Sequence, residues 1–131
     1  MWGTRSIDCA IIRGGTSKGV FFREEDVPGP GAERDALLLR AFGSPDLRQI
    51  DGLGGADPLT SKCVLVGPGD GGEVDIRYTF AQVEIDRAHV DYGSVCGNLS
   101  SALGYMAMHA GYVEPVGDVV RSRVHVVNNG A

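Results

Sequence analysis

The residue best suited to chemistry in this chain is Cys96, which lies on a turn between Gly93 and Gly97, just before an apolar periodic run. From Leu99 to Ala110 the apolar residues recur at three- and four-residue spacing, which predicts an amphipathic helix that begins at the cysteine. Free backbone N–H groups at a helix start stabilise a thiolate and also bind a carboxylate or phosphate. Cys96 is therefore a candidate reactive thiol. The alternative is a buried cysteine that behaves as a small hydrophobic residue.

Two further loops carry candidate functional side chains. The segment 13–18, RGGTSK, places two cations, two hydroxyl groups and several backbone N–H groups together, which is suited to binding an anion. It lacks the GxxxxGK[ST] order of a P-loop, and the alternative is a hairpin turn with solvated charges. The loop 51–62 ends with Lys62 at the start of an apolar strand. Burial favours the neutral amine that a general base needs, whereas the alternative is a lysine that protects a strand edge.

The composition excludes several classes of protein. The chain has 131 residues, is 43% hydrophobic and carries a net charge of −5 without a basic cluster, so we expect one soluble domain that binds neither nucleic acid nor an acidic membrane. No apolar run has the length of a membrane span or signal core, which favours the cytoplasm. The three cysteines are widely spaced and the three histidines share no ligand spacing. We therefore expect no disulfide framework and no metal site.

Hydrophobic periodicity predicts an α+β fold, with a mostly antiparallel sheet and two helices packed on it. The predicted strands span 6–12, 19–23, 62–66, 74–80 and 121–127, and the predicted helices are 32–42 and the run after Cys96. Between them, residues 44–60 form a long loop without periodicity, a feature that is often functional. The apolar residues change parity at Ala81–Gln82, which predicts a β-bulge or a bend.

Several segments, taken in order, resemble the PrpF family, whose members include 2-methylaconitate isomerase and 4-oxalomesaconate tautomerase. They are RGGTSKGVFF (13–22), RDALLLR (34–40), QIDGLGG (49–55), TSK (60–62) and CGNL (96–99), and they span nearly the whole chain. Val95 departs from the pattern, since many relatives have asparagine there. The resemblance implies a fold like that of diaminopimelate epimerase, in which two similar halves, each a sheet wrapped around a central helix, close on the substrate. Residues 1–131 would be most of the first half of a truncated chain.

The resemblance also implies the residues of the site. Lys62 and Cys96 would be the catalytic pair that faces the substrate. The candidate substrate-binding residues lie in the segments 13–22, 60–62 and 96–99. They are Arg13, Gly15, Thr16, Ser17, Lys18, Ser61, Gly97, Asn98 and Leu99. The substrate would be a small unsaturated polycarboxylate such as 2-methylaconitate, and a second domain or another chain would close the cleft.

These residue types suffice for an isomerase or tautomerase that needs no cofactor. A base removes a carbon-bound proton made acidic by a conjugated carboxylate, backbone N–H groups stabilise the dienolate, and return of the proton elsewhere moves the double bond or changes its geometry. One alternative is a non-catalytic half that binds carboxylates or provides an interaction surface. Another is a cysteine hydrolase, which is less favoured because no histidine or acid lies at a recognisable offset from Cys96.

Overall fold

The part of the chain that the structure describes folds into a six-stranded sheet with helices on both faces. The computed structural model describes residues 4–119 and 121–128. The strands are β1 (Ala10–Gly14), β2 (Ser17–Arg23), β3 (Lys62–Pro68), β4 (Ile76–Val83), β5 (Val90–Asp91) and β6 (Val124–Val126). The helices are α1 (Ala32–Phe42), α2 (Gly97–Ser100) and α3 (Leu103–His109), and two 3₁₀ helices span Glu24–Asp26 and Pro58–Thr60. The predicted α+β class is confirmed. In this described part, no helix has both the length and the apolar character to cross a membrane.

The sheet has the order β1–β2–β3–β4–β5, and β6 pairs with β4 on the same side as β5. β1 and β2 form an antiparallel hairpin around Gly15–Thr16. The β3–β4 and β4–β5 pairs are also antiparallel, whereas β2–β3 and β4–β6 are parallel. A parallel pair needs a long crossover. The segment that contains α1 and the loop 43–61 supplies the crossover from β2 to β3.

Both faces of the sheet are buried, because side chains alternate along each strand and helices cover each side. The α3 face packs against α2 and α3 through Phe21, Val64, Val66, Ile76, Tyr78, Phe80, Leu99, Leu103 and Met106. The α1 face packs against α1 through Val20, Phe22, Leu38, Phe42, Cys63, Leu65, Ala81 and Val83. Neighbouring residues of one strand therefore lie in different cores.

The change of apolar parity near Ala81–Gln82 has a different cause from the one predicted. The β3–β4 ladder runs without a break along its whole length. Tyr78 and Phe80 belong to the α3 face, and Ala81 and Val83 belong to the α1 face. Of the two predicted alternatives, the bulge is therefore wrong and the bend stays a prediction. A strand buried on both faces carries apolar residues of both parities.

The predicted helix after Cys96 consists of two short helices, α2 and α3. The hydroxyl of Ser100 donates to the carbonyl oxygen of Gly97 at 2.6 Å, and that of Ser101 donates to the carbonyl oxygen of Asn98 at 2.7 Å. Such local bonds compete with the regular helix ladder. The buried residues nevertheless follow the predicted apolar face: Leu99, Ala102, Leu103, Met106 and Ala107 are buried.

The other predicted elements differ from the structure mainly in their ends. α1 has the predicted bounds, and it ends at Gly43, whose φ of 80° suits a glycine cap. The β1–β2 turn is shorter than predicted, since β1 extends to Gly14 and β2 begins at Ser17. The last strand shortens to β6, and β5 was not predicted because two residues are too short for a periodic signal. The central-helix, two-half architecture stays a prediction.

Gly14 lies so close to the start of α2 that no side chain fits there. A Cβ at this position would clash with the carbonyl oxygen of Asn98. We expect Gly14→Ala to lower the free energy of unfolding by about 1–3 kcal/mol, as overpacking does, in urea titrations.

Gly104→Ala is the matched control. A Cβ at Gly104, inside α3, would meet nothing within 4 Å. Because alanine favours a helix over glycine, this variant should be as stable as the unsubstituted chain or more stable by about 0.5–1 kcal/mol. Equal stability of Gly14→Ala and Gly104→Ala would contradict the close approach of α2 to the hairpin.

Candidate active site

Lys62 and Cys96 meet on the α3 face of the sheet. The Nζ of Lys62 donates to the Sγ of Cys96 at 3.4 Å and to the Oγ of Ser17 at 3.1 Å. The Ser17 Oγ lies 3.8 Å from the Cys96 Sγ. A lysine, a thiol and a hydroxyl from three separate motifs thus form one cluster. The hydroxyl of Ser17, which is 1% exposed, links the other two.

The β2–β3 register brings two of these side chains together. Gly19 of β2 pairs with Lys62 of β3 in a parallel ladder, and Ser17 lies two residues before Gly19. Because side chains alternate, Ser17 and Lys62 point to the same face. Leu99 of α2 packs directly over Gly19, where a Cβ would lie 2.7 Å from the leucine side chain. Because Gly19 has no side chain, α2 can pack close to β2, and Cys96 at its N-cap comes within reach of Lys62.

Cys96 occupies the N-cap of α2, as the sequence predicted. Its Sγ accepts a hydrogen bond from the backbone N–H of Leu99 at 3.4 Å. The hydroxyl of Tyr78 donates to the carbonyl oxygen of Cys96 at 3.2 Å. Burial raises the pKa of Tyr78 to about 12, so this phenol remains a neutral donor. The backbone and side chain of the cysteine are therefore both fixed.

The surroundings of Cys96 favour its thiolate. Burial of the sulfur opposes ionisation, but the hydrogen bonds from the Leu99 N–H, Ser17 and Lys62, with the positive charge of Lys62, outweigh it and lower the pKa of Cys96 below the ordinary thiol value. Cys63 is a contrast within the same chain. It lies fully buried on the α1 face, and desolvation raises its pKa. The sheet thus separates an ionisable thiol from an inert one.

Thr16 and Asn98 form the exposed rim beside the cluster. The Nδ2 of Asn98 donates to the Oγ1 of Thr16 at 2.9 Å. Gly15, at the hairpin turn, has a φ of 52° and faces the Asn98 side chain closely. Gly97 is exposed, with nothing within 4 Å of a Cβ. The predicted residues of the two glycine-rich motifs therefore meet at one edge, where polar atoms are accessible.

Of the other predicted substrate-binding residues, Arg13, Lys18 and Ser61 lie apart from the thiol. Arg13 and Lys18 face each other across the hairpin and alternate with Ser17, so they point to the opposite face, and the Nε of Arg13 donates to the carbonyl oxygen of Gly15 at 3.0 Å. Ser61 is fully buried on the α1 face. The side chain of Leu99 is in the core, and only its N–H reaches the sulfur. The binding roles of these residues stay predictions.

Two aromatic residues belong to the site although the sequence pointed to them only as strand residues. Tyr78 holds the backbone of Cys96, and the ring of Phe80 lies 5.9 Å from the Nζ of Lys62, within cation–π range. Their alternation along β4 indicated a buried face. Only the fold shows that this face is the one that meets the thiol.

The cluster is distinct from a cavity of about 710 Å³ on the α1 face. That cavity lies between α1 and the N-terminal segment and is lined by Thr4, Ile7, Phe22, Leu37, Arg40 and Leu53, among others. None of the three clustered side chains lines it. Among the described residues, no group of three or more His, Cys, Asp or Glu side chains is placed to hold a metal ion.

The lowered pKa of Cys96 leads to a titration test. In a Cys9→Ser background, which removes the exposed cysteine, the thiolate ultraviolet absorbance should rise at a pH below that of an ordinary thiol. Lys62→Met should move this midpoint upward by about one pH unit, because it removes a donor and a charge. An unchanged midpoint in a folded Lys62→Met variant would contradict the contact.

The chain is similar to known proteins over nearly its whole length. The family model described as PrpF protein matches residues 4–131. The chain is 49% identical over 124 residues to 3-methylitaconate isomerase of Eubacterium barkeri, covering 95% of this chain and 33% of that protein. It is 46% identical over 128 residues to 4-oxalomesaconate tautomerase of Pseudomonas putida, covering 98% and 36%.

The fold is also that of a solved relative. The crystal structure of methylitaconate-delta-isomerase superimposes with a TM-score of 0.90 at 49% identity, covering 95% of this chain and 32% of that one. A 2-methyl-aconitate isomerase of Cupriavidus necator is 50% identical over 114 residues. The chain spans about a third of the length of these relatives, which are named as isomerases or a tautomerase of small unsaturated acids. With a family model that covers nearly all of its residues, the chain belongs to the PrpF protein family.

Proposed function

We propose that the protein is an isomerase or tautomerase that moves a double bond, or changes its geometry, in a small unsaturated polycarboxylate of the 2-methylaconitate type. The observation that carries this proposal is the 3.4 Å contact between the Lys62 Nζ and the Cys96 Sγ. The contact provides a proton acceptor and a proton donor side by side. The names of the relatives support the reaction class, since methylitaconate, oxalomesaconate and methylaconitate are all unsaturated acids.

In the proposed reaction, the thiolate of Cys96 accepts a proton from a carbon next to the conjugated system. The electron pair of the broken C–H bond becomes part of a dienolate, whose charge spreads onto the carboxylate oxygens. Lys62 then donates a proton to another carbon of the conjugated system, and the double bond ends in its new place. Transfer of the proton from the thiol to the amine across the short contact restores both groups. The cycle consumes no oxidant, reductant or cofactor.

The polar rim around the pair supplies the proposed carboxylate contacts. The positive charge of Lys62 and the N–H groups at the start of α2, from Gly97 and Asn98, stabilise negative charge that develops on the substrate. Thr16 and Asn98 are exposed and offer a hydroxyl and an amide. We assign Ser17 to holding Lys62 rather than to direct substrate contact, because its hydroxyl is buried against the amine.

We further propose that this chain forms the first part of a two-part site. It corresponds to about a third of the length of its relatives, and proton transfer at carbon benefits from a site that excludes water. A second similar domain, or another chain, would cover the pair and add the remaining carboxylate contacts. On this basis the described part alone would be inactive.

The hydrogen-bond partners of Cys96 argue against the hydrolase alternative. The sulfur contacts the Leu99 N–H, Lys62 and Ser17. A cysteine nucleophile of a hydrolase is normally activated by a histidine within hydrogen-bond reach. Here the activating group is an amine, which is suited to exchanging a proton with the sulfur.

Exchange of carbon-bound protons with deuterium oxide tests the proposal. A protein that spans the full length of the relatives should exchange protons of methylitaconate, 2-methylaconitate or oxalomesaconate, followed by NMR. Lys62→Ala and Cys96→Ser should each slow exchange by about 10²–10⁴-fold, the usual contribution of a positioned acid or base.

Cys9→Ser is the matched control, because it makes the same chemical change at an exposed cysteine. It should exchange at the rate of the unsubstituted protein. Full exchange by folded Lys62→Ala would remove the lysine from the mechanism. Absence of exchange with all of these acids would leave a non-catalytic, carboxylate-binding role.

A further inference from the structure

A buried carboxamide on the α1 face holds the backbone just before Lys62. Gln49 is 1% exposed. Its Nε2 donates to the Oγ of Ser61 at 2.8 Å and to the Oγ of Ser44 at 3.1 Å, while its Oε1 accepts from the N–H of Ala56 at 2.8 Å. Both donors and the acceptor of the amide are therefore used. One side chain connects the beginning, the middle and the end of the loop 44–61.

Ser61 transmits this anchoring to the sheet. Its hydroxyl donates to the carbonyl oxygen of Val83 at 2.7 Å, and its own carbonyl oxygen accepts from the Val83 N–H at 3.1 Å and from the Gln82 Nε2 at 2.9 Å. Ser61 directly precedes Lys62, and successive residues of an extended chain face opposite sides. Fixing Ser61 on the α1 face therefore fixes the position from which the Lys62 side chain extends on the α3 face.

The loop is shaped around the Gln49 carboxamide. A Cβ at Gly54 would clash with the amide group of Gln49. Gln49 itself has a φ of 45°, in the left-handed region that non-glycine residues rarely adopt. A costly conformation persists only where the surroundings determine it, and it is common where strain serves a functional site. Gln49 adopts this costly conformation, and its side chain makes the three hydrogen bonds to Ser44, Ala56 and Ser61.

We propose that Gln49 is a positioning residue for the Lys62–Cys96 pair and acts through Ser61. The inference rests on the proposed function, because it is that function that gives Lys62 its role in proton transfer. The distance that Gln49 controls is the one between the Lys62 Nζ and the Cys96 Sγ. That distance sets how strongly the amine stabilises the thiolate, so it can be followed without a substrate.

Thiolate titration of Cys96 in the Cys9→Ser background tests this role. Gln49→Met keeps the length of the side chain but removes its donors and acceptor. We expect the thiolate fraction at neutral pH to fall about threefold, which is a rise of about half a pH unit in the midpoint. Ser61→Ala should move the midpoint in the same direction, and it decides the question if Gln49→Met does not fold.

Leu38→Ala is the matched control for a merely structural effect. Leu38 is also fully buried on the α1 face and belongs to its core. This variant should lose stability while its Cys96 midpoint stays in place. An equal shift in Leu38→Ala, or an unshifted midpoint in folded Gln49→Met or Ser61→Ala, would overturn the proposal.

A double variant shows whether the effect passes through the lysine. In a Lys62→Met background, Gln49→Met should leave the thiolate midpoint where Lys62→Met alone puts it. A further shift would mean that Gln49 acts on Cys96 by another route and would overturn the inference. Failure of the proton-exchange experiment with intact thiol titrations would instead reject the proposed function and leave the positioning of the amine standing.

Discussion

The register between β2 and β3 is the constraint on which the site depends. It sets Gly19 opposite Lys62 and places Ser17 on the same face as the lysine. A slip of one residue would turn Lys62 toward the α1 face and leave Cys96 without its amine. The contact of Lys62 with the thiol is thus a consequence of strand pairing, and every interaction that fixes that pairing also fixes the proposed chemistry.

Several features on both faces fix this register. On the α3 face, Leu99 packs over Gly19 and brings the start of α2 against the hairpin. On the α1 face, Gln49 and Ser61 hold the chain where it enters β3. Because both sides of the sheet are packed, a shift of either strand would disturb two cores at once. Because β3 is fixed, the backbone of Lys62 is already in place. Its side chain therefore loses less conformational entropy in reaching the thiol than the side chain of a lysine on a mobile strand would.

The sequence predicted those parts of the structure that have local signals. The bounds of α1 follow from a short periodic run between glycines, and the N-cap position of Cys96 follows from the glycine turn before an apolar stripe. The predicted bulge at Ala81–Gln82 was wrong because local parity cannot show that both faces of a strand are covered.

The rest of the site depends on contacts between distant parts of the chain. Lys62 and Cys96 are 34 positions apart, and Ser17 and Cys96 are 79 apart. No spacing rule predicts that such side chains touch, and their grouping came only from the family resemblance. Nothing local distinguished Gln49 from an ordinary polar loop residue.

The contact between the Lys62 Nζ and the Cys96 Sγ, which favours the thiolate, is tested most directly by carbon-13 NMR of the Lys62 Cε and the Cys96 Cβ across a pH titration. Because the amine touches the sulfur, the Lys62 signal should shift when the Cys96 thiol ionises, at a pH below the ordinary pKa of a thiol. A Lys62 signal that does not respond when Cys96 ionises would contradict it.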